Sequence, residues 1–504
     1  MPRQPMHQLL RMIVLALASG AALLSAPAAA ADDPAAVAMK LYNKNQYESA
    51  ARGLRAALPA LDASQHSTAW LTLGMIYLRN AELHRELYRT AAVIELDYLR
   101  KLAAMSGPSR SRYVDLYLGE AFLQTGDAAQ AQRYLEQFRA QPGVADRHKT
   151  LAVIGLGLAH SLGKDSALAD EFWATVDGSD PETRTALAAA YATAGLRDKD
   201  PLALAEAAYA DLKKSARNLS PAMLRDLLHV YARSGQTDRG LDLARRADLK
   251  TPADAEVQGK AKTINFYDLT LFADLATLYT QAAVSALEKA GADAKLKGTA
   301  DYYLAEAYAA TGQLERALRA DEAFLALAQT PPAYRERARV RQAATRYQLK
   351  PQPEALSVWE ELAQKQPADP DILADVVLQC LRIKAECTKI VTRAGVFAEV
   401  GEGKKFFSLN RALGRYYLSK RDYSRALLHL EAGRDKSRKN KIEANDPAML
   451  VNLAEAYYRV KKFSENLEIY FEMSKEFPVV RQIQDAMQGI YLMENKSAGD
   501  VKIF

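Results

Sequence analysis

The sequence predicts an all-α fold in which helical hairpins repeat along one elongated body, and three observations carry that reading. A leucine, then a small residue, then an aromatic three positions further on returns at Leu118-Gly119-Phe122, Leu187-Ala188-Tyr191, Leu304-Ala305-Tyr308, Leu413-Gly414-Tyr417 and Leu453-Ala454-Tyr457. That spacing places the large residues on one stripe of a helix, with a small one beside them where a second helix can come close. Composition agrees: 504 residues with 49% hydrophobic content, 25 Gly and 19 Pro describe an ordered chain, not a collagenous or low-complexity one. The third observation is the period. The leucine-small pair, imperfect at two places, sits at 73/74, 118/119, 187/188, 227/228, 275/276, 304/305, 343/344, 413/414 and 453/454, giving steps of 45, 69, 40, 48, 29, 39, 70 and 40.

Taken in order, residues 1–31 read as an export signal. Arg3 and Arg11 make a basic start, Met12 to Leu24 is apolar and uncharged, and Ala29-Ala30-Ala31 offers a small-residue cleavage site. The apolar run falls short of the roughly 20 residues a spanning helix needs, and no later stretch is long and apolar enough to cross a bilayer. The mature chain is therefore expected outside the cytoplasm, in the periplasm or secreted. The formal charge of +6 falls to +4 once Arg3 and Arg11 leave, too little to argue for nucleic-acid binding.

The first hairpin shows through Tyr47, Ala50, Leu54 and Ala57, and the next through Trp70, Leu73, Gly74 and Tyr77, followed by an extended stretch from Ala81 to Met105. Gly126, Gly195, Gly235 and Gly312 mark chain reversals, and Ala131, Ala317 and Ala426 are the small residues of second helices. Pro252, Pro367 and Pro478 read as stops at second-helix ends. The double-length steps each conceal a degenerate hairpin, near Leu151 to Trp173 and near Ile372 to Val391, which brings the total to roughly twelve; the step of 29 near Leu275 is too short for a full unit. Residues 481–504 form a capping helix and tail, closing an array that spans 32–480.

The pattern resembles the tetratricopeptide repeat, a helical hairpin that needs neighbours to bury its faces. The resemblance implies a right-handed α-solenoid and a concave groove lined by first helices. Carried over unit by unit, it makes Arg225, His229 and Arg233 groove-facing in one hairpin, Arg411 and Arg415 in another, and Asn452, Glu455 and Arg459 in the last. Arg411, Arg415, Asn452 and Arg459 together would suit an anionic ligand, because a guanidinium offers a planar donor fork to a carboxylate. They do not reproduce the Lys/Asn clamp with which some relatives hold a peptide C-terminus.

Catalytic and metal motifs do not emerge. The histidines lack HExxH or Cys/His zinc spacing, Gly157 to Asp165 and Gly401 to Lys405 both fail as phosphate loops, and no GxSxG elbow occurs. No cofactor is implied. Cys380 and Cys387 are too far apart on one helix to bridge but could meet across a hairpin turn, so a disulfide and two buried thiols both stand as readings. The run Arg434, Lys436, Arg438, Lys439 and Lys441 reads as a solvated linker or as a surface for anionic lipid or polymer. The expectation is a non-enzymatic scaffold or adaptor of the bacterial cell envelope, holding proteins or peptides in its groove, in an assembly for secretion, filament building or polysaccharide export. A polysaccharide-binding solenoid is the first alternative, favoured if Tyr302 and Tyr458 are exposed. An enzyme with its site in a degenerate hairpin is the second.

Overall fold

The computed structural model describes residues 33–104, 113–214, 219–247, 269–328, 330–365, 369–399, 406–435 and 441–494. The signal at 1–31, the tail at 495–504, Pro252, Pro367 and residues 436–440 of the basic run lie outside them. Every regular element among the described residues is helical. In chain order they are α1 Pro34–Tyr42, α2 Tyr47–Ala57, α3 Ala63–Ala103, α4 Val114–Gln124, α5 Ala128–Arg139, α6 Asp146–Leu162, α7 Ser166–Ala174, α8 Pro181–Ala194, α9 Pro201–Lys214, α10 Pro221–Arg233, α11 Thr237–Arg246 and α12 Leu269–Ala290. There follow α13 Lys297–Ala310, α14 Leu314–Leu325, α15 Pro332–Leu349, α16 Ser357–Gln364, α17 Pro370–Ile383, α18 Thr388–Glu399, α19 Phe407–Ser419, α20 Tyr423–Gly433, the single turn α21 Lys441–Ala444, α22 Pro447–Arg459, α23 Phe463–Met473 and α24 Arg481–Glu494. None of them is long and apolar enough to cross a membrane.

Ten of the expected units are two-helix hairpins: α1/α2, α4/α5, α6/α7, α8/α9, α10/α11, α13/α14, α15/α16, α17/α18, α19/α20 and α22/α23. First helices of successive hairpins pack on one another in chain order, which is the stacking of an α-solenoid. Local sequence sets the start of five of these first helices and the end of most. Asp33, Asp180, Ser220, Asp369 and Asp446 accept from backbone amides of the first turn, each directly before a proline whose missing N–H is no loss there. Proline therefore starts more helices here than it stops; Pro478 itself opens a short 3-10 turn, Pro478–Val480, between α23 and α24. In nine of the ten hairpins the chain reverses through a left-handed residue: Gly126, Gly195, Gly235 and Gly312, or Asn45, Lys164, Lys384, Arg421 and Lys461. The second group lacks glycine, which is why those turns are hard to read from sequence.

The small residues do what close packing requires. A Cβ on Gly119 would lie 2.5 Å from Leu135 Cγ, and one on Gly414 would lie 2.4 Å from Leu430 Cγ, each leucine belonging to the second helix of the same hairpin. The two remaining units depart from this scheme. The Trp70 unit has no second helix of its own, because α3 runs 41 residues without a break, about 60 Å at 1.5 Å per residue. Its close partner is α12: a Cβ on Gly74 would lie 2.5 Å from Leu287 Cγ, the contact that Gly119 makes with Leu135. Tyr77 and His84 of α3 also pack on Tyr279 of α12, with ring centroids 6.0 and 5.2 Å apart. The short step of 29 at Leu275 has the same cause, since α12 is a single 22-residue helix that completes a hairpin begun far upstream.

The α3–α12 pair divides the solenoid into two lobes, α4–α11 and α13–α24. The second lobe returns to the start of the chain. Asn45 donates to the carbonyls of Ile442 (2.9 Å) and Asn445 (2.8 Å), the Ser49 amide and hydroxyl both donate to Glu476 at 3.1 Å, and Tyr98 packs over Gly489 of α24. Helix α24 is thus a cap that covers the N-terminal long helix and seals the array. In the degenerate hairpin α17/α18, Cys380 and Cys387 form a disulfide across the turn, with Cα atoms 6.2 Å apart.

Two outcomes follow for measurement. Gly74→Val should lower stability by about 1–3 kcal/mol in urea unfolding, because the new side chain is driven into Leu287, whereas Gly53→Ala on α2, with nothing within 4 Å of its Cβ, should be neutral or gain up to about 1 kcal/mol. Iodoacetamide should modify neither cysteine of the native, unreduced protein and both after reduction; alkylation without reductant would refute the bridge.

Candidate functional site

First helices line the concave face of each lobe, and the two faces differ. That of the second lobe is occupied by the chain itself. One stripe of α3, Arg79, Glu82, Glu86 and Arg89, meets α19 and α22. Arg411 pairs with Glu82 and, through Nη1 at 2.6 Å, with Asp446 Oδ2; Arg415 Nη2 lies 2.9 Å from Glu86 Oε1. Arg89 reaches Glu86 (3.2 Å), Glu455 and Asn452, while the Thr90 hydroxyl donates to Glu455 at 3.2 Å and Tyr458 donates to Asp97. Arg459 sits 3.6 Å from the other Glu455 oxygen.

Burial makes these pairings strict. Glu86 and Glu455 are each 2% exposed and Asn452 is fully buried, so each ionised group has to find its partner within the protein. Burial alone would raise the Asp446 carboxyl, but Arg411, Arg79 and the amides of Ala448 and Met449 hold it below the ordinary range. Desolvation also dominates at Arg411, whose affinity for its proton falls despite Asp446 beside it. Five of the expected groove residues, Arg411, Arg415, Asn452, Glu455 and Arg459, are therefore brought together as a groove. What they contact there is an internal helix, where the repeat pattern had implied an outside ligand.

The first lobe presents its concave face on α4, α6, α8 and α10. Leu116, Leu123, Leu151, Ile154, Leu158, Ala186 and Ala189 give it an aliphatic floor, with Glu120, Arg147, Asp226 and His229 among them, around a cavity of about 180 Å³. The three candidates on α10 separate. Arg225 is 1% exposed and its Nη1 donates to the Pro221 carbonyl at 3.2 Å, so it is a core residue. Arg233 is exposed. His229 lines the cavity, with Nδ1 3.0 Å from both oxygens of Asp274 on α12 and Nε2 2.8 Å from Thr193 Oγ1 on α8.

Asp274, His229 and Thr193 have the order of a hydrolase relay, but not its surroundings. Thr193 Oγ1 also lies 2.9 Å from the Ala189 carbonyl one helical turn back, and the amides around it belong to the last turn of α8, where they are spent on backbone carbonyls and cannot form an oxyanion hole. The relay ties α8, α10 and α12 together and so fixes the curvature of the face. Among the described residues, no group of three His, Cys, Asp or Glu side chains converges as a metal site. Tyr302 and Tyr458 are each 7% exposed: Tyr302 packs against Tyr303, Phe324 and Tyr334, and neither ring is presented for stacking on a sugar.

The sequence reading missed the charged stripe of α3. Its signal was present, since Arg79, Glu82, Glu86 and Arg89 recur at steps of three and four along one face of the helix.

No protein-family model matches the chain, and no curated protein matches it by sequence. Solved structures align over most of its length. The crystal structure of yeast Tom70 is 12% identical, covering 93% of this chain and 96% of that one at a TM-score of 0.31. The APC/C hetero-tetramer Cut9-Hcn1 is 14% identical over 90% and 94%, TM-score 0.28, and the human IFIT1 dimer with m7Gppp-AAAA is 12% identical over 81% and 95%, TM-score 0.24. At such scores the helical-hairpin fold rests on this chain's own geometry.

A double-mutant cycle tests the internal occupancy of the second groove. Arg415→Ala and Glu86→Gln should show a coupling of about 0.5–3 kcal/mol in unfolding free energy. Strict additivity would mean that α3 does not sit against α19 in solution.

Proposed function

We propose that the chain is an exported, non-enzymatic scaffold of the bacterial cell envelope that receives a helical segment of a partner protein on the concave face of its first lobe. One observation carries the reading. The two lobes are built from the same hairpins; the concave face of the second grips a helix, α3, and the corresponding face of the first, on α4, α6, α8 and α10, surrounds, among the described residues, a cavity with an aliphatic floor. A partner helix with aliphatic side chains would suit the Leu/Ile/Ala floor. Export is supported by the basic, apolar and small-residue order of residues 1–31 and by the disulfide, a bond at home in oxidising compartments. Secretion, filament and polysaccharide-export assemblies are the settings proposed for such a scaffold.

Photo-cross-linking amino acids placed in cells at Glu120 and Ala189, on the concave face, should yield one shared adduct, with none from Gln137 on the exposed side of α5. Equal capture at all three positions, or capture at Gln137 alone, would remove the first-lobe groove as the binding face.

A further inference from the structure

A second cavity, of about 450 Å³, lies outside both concave faces, between α2, α3, α11, α12 and the Pro478–Val480 turn. Its floor is apolar and aromatic, formed by Ala51, Tyr77, Leu241, Leu275 and Tyr279. Its rim carries four guanidinium groups, those of Arg52, Arg55, Arg245 and Arg246. Among the described residues, opposing charge is sparse. Asp238 and Asp242 lie 3.4 Å from Arg55, and Asp242 also pairs with Arg245, which leaves two carboxylates for four arginines.

The carboxyl inside the cavity does not restore the balance. Glu48 is half-buried beside Glu476, itself held by Ser49, and desolvation and that neighbouring carboxylate outweigh Arg52 and push Glu48 up to about 8. Near neutral pH it is a protonated carboxyl, which donates. The polar groups facing the space are then mostly donors: guanidinium N–H, the Tyr77 and Tyr279 hydroxyls and the Glu48 acid. A cavity of this size with an apolar floor and convergent donors selects an acceptor-rich, negatively charged head on an apolar body.

We propose that this cavity is a binding site for a small amphipathic organic anion, a carboxylate or phosphate ester whose apolar chain lies on Tyr77, Leu241, Leu275 and Tyr279 while its head meets the arginine rim. The site stands apart from the first-lobe groove and does not depend on the scaffold reading. Because α2, α12 and Pro478 all contribute to its wall, an occupant would also brace the junction where the C-terminal hairpin meets the N-terminal one.

Isothermal titration calorimetry of the full chain with decanoate, decyl phosphate, decanol and decylamine near pH 7 tests the assignment. Decanoate or decyl phosphate should bind at least about tenfold more tightly than decanol, with no detectable binding of decylamine; whichever anion is tighter identifies the head group. Arg52→Gln with Arg246→Gln, both on exposed positions, should weaken the anions about tenfold or more without changing the circular dichroism spectrum. Ala51→Phe should block binding by filling the floor. Raising the pH above about 8 ionises Glu48 and should weaken the anions, and Glu48→Gln should abolish that loss. Equal affinity for decanol and decanoate, binding unchanged in the double arginine variant, or no binding of either anion would overturn the proposal.

Discussion

The structure depends on the burial of one 41-residue helix between two partners of opposite character. Toward α12, α3 presents small and aromatic residues, and Gly74 allows backbone approach close enough for Leu287 to cover it. Toward α19 and α22 it presents the row Arg79, Glu82, Glu86 and Arg89, whose partners are fixed by charge. The apolar seam supplies the favourable transfer of surface out of water. The ionic seam contributes less net stability, because desolvating Glu86, Glu455 and Arg411 offsets much of the Coulombic gain. Its contribution is register: shifting α3 by one residue against the second lobe would bury several charges without partners.

Repeat periodicity disclosed the hairpins because that signal is local. Leu118-Gly119-Phe122 and its relatives carry the packing rule of a helix pair within a few turns of chain, and even the two double-length steps resolved into the hairpins α6/α7 and α17/α18. Turns built on Lys164, Lys384, Arg421 and Lys461 escaped notice because they hold a left-handed conformation without glycine. The larger omission was the contact between α3 and both α12 and the second lobe. Gly74 looked like every other small residue, and nothing adjacent to it says that its partner leucine lies at 287 and not in the next helix.

The candidate groove followed the same division. Position along the first helices gathers Arg411, Arg415, Asn452, Glu455 and Arg459 on one face, since that is a property of helix periodicity. What meets that face is set by chain topology, and no spacing rule encodes it. For α10 the local rule was also insufficient: Arg225 turned into the core, Arg233 outward, and only His229 reached the cavity. The Glu48 cavity is assembled from four helices and a turn that are distant in sequence, so no single stretch displays it.

An open solenoid can fold by accretion, each hairpin resting on the one before it. The hairpin made by α3 and α12 does not allow that order. As the chain is synthesised from its N-terminus, α3 emerges with an unpaired glycine face and a bare row of charges. It stays so while the whole first lobe is made, until α12 arrives for one side and α19 and α22 for the other. Such distant pairings slow folding and leave apolar surface exposed for longer. The long helix that organises the finished protein is thus the part of the nascent chain that waits longest for its neighbours.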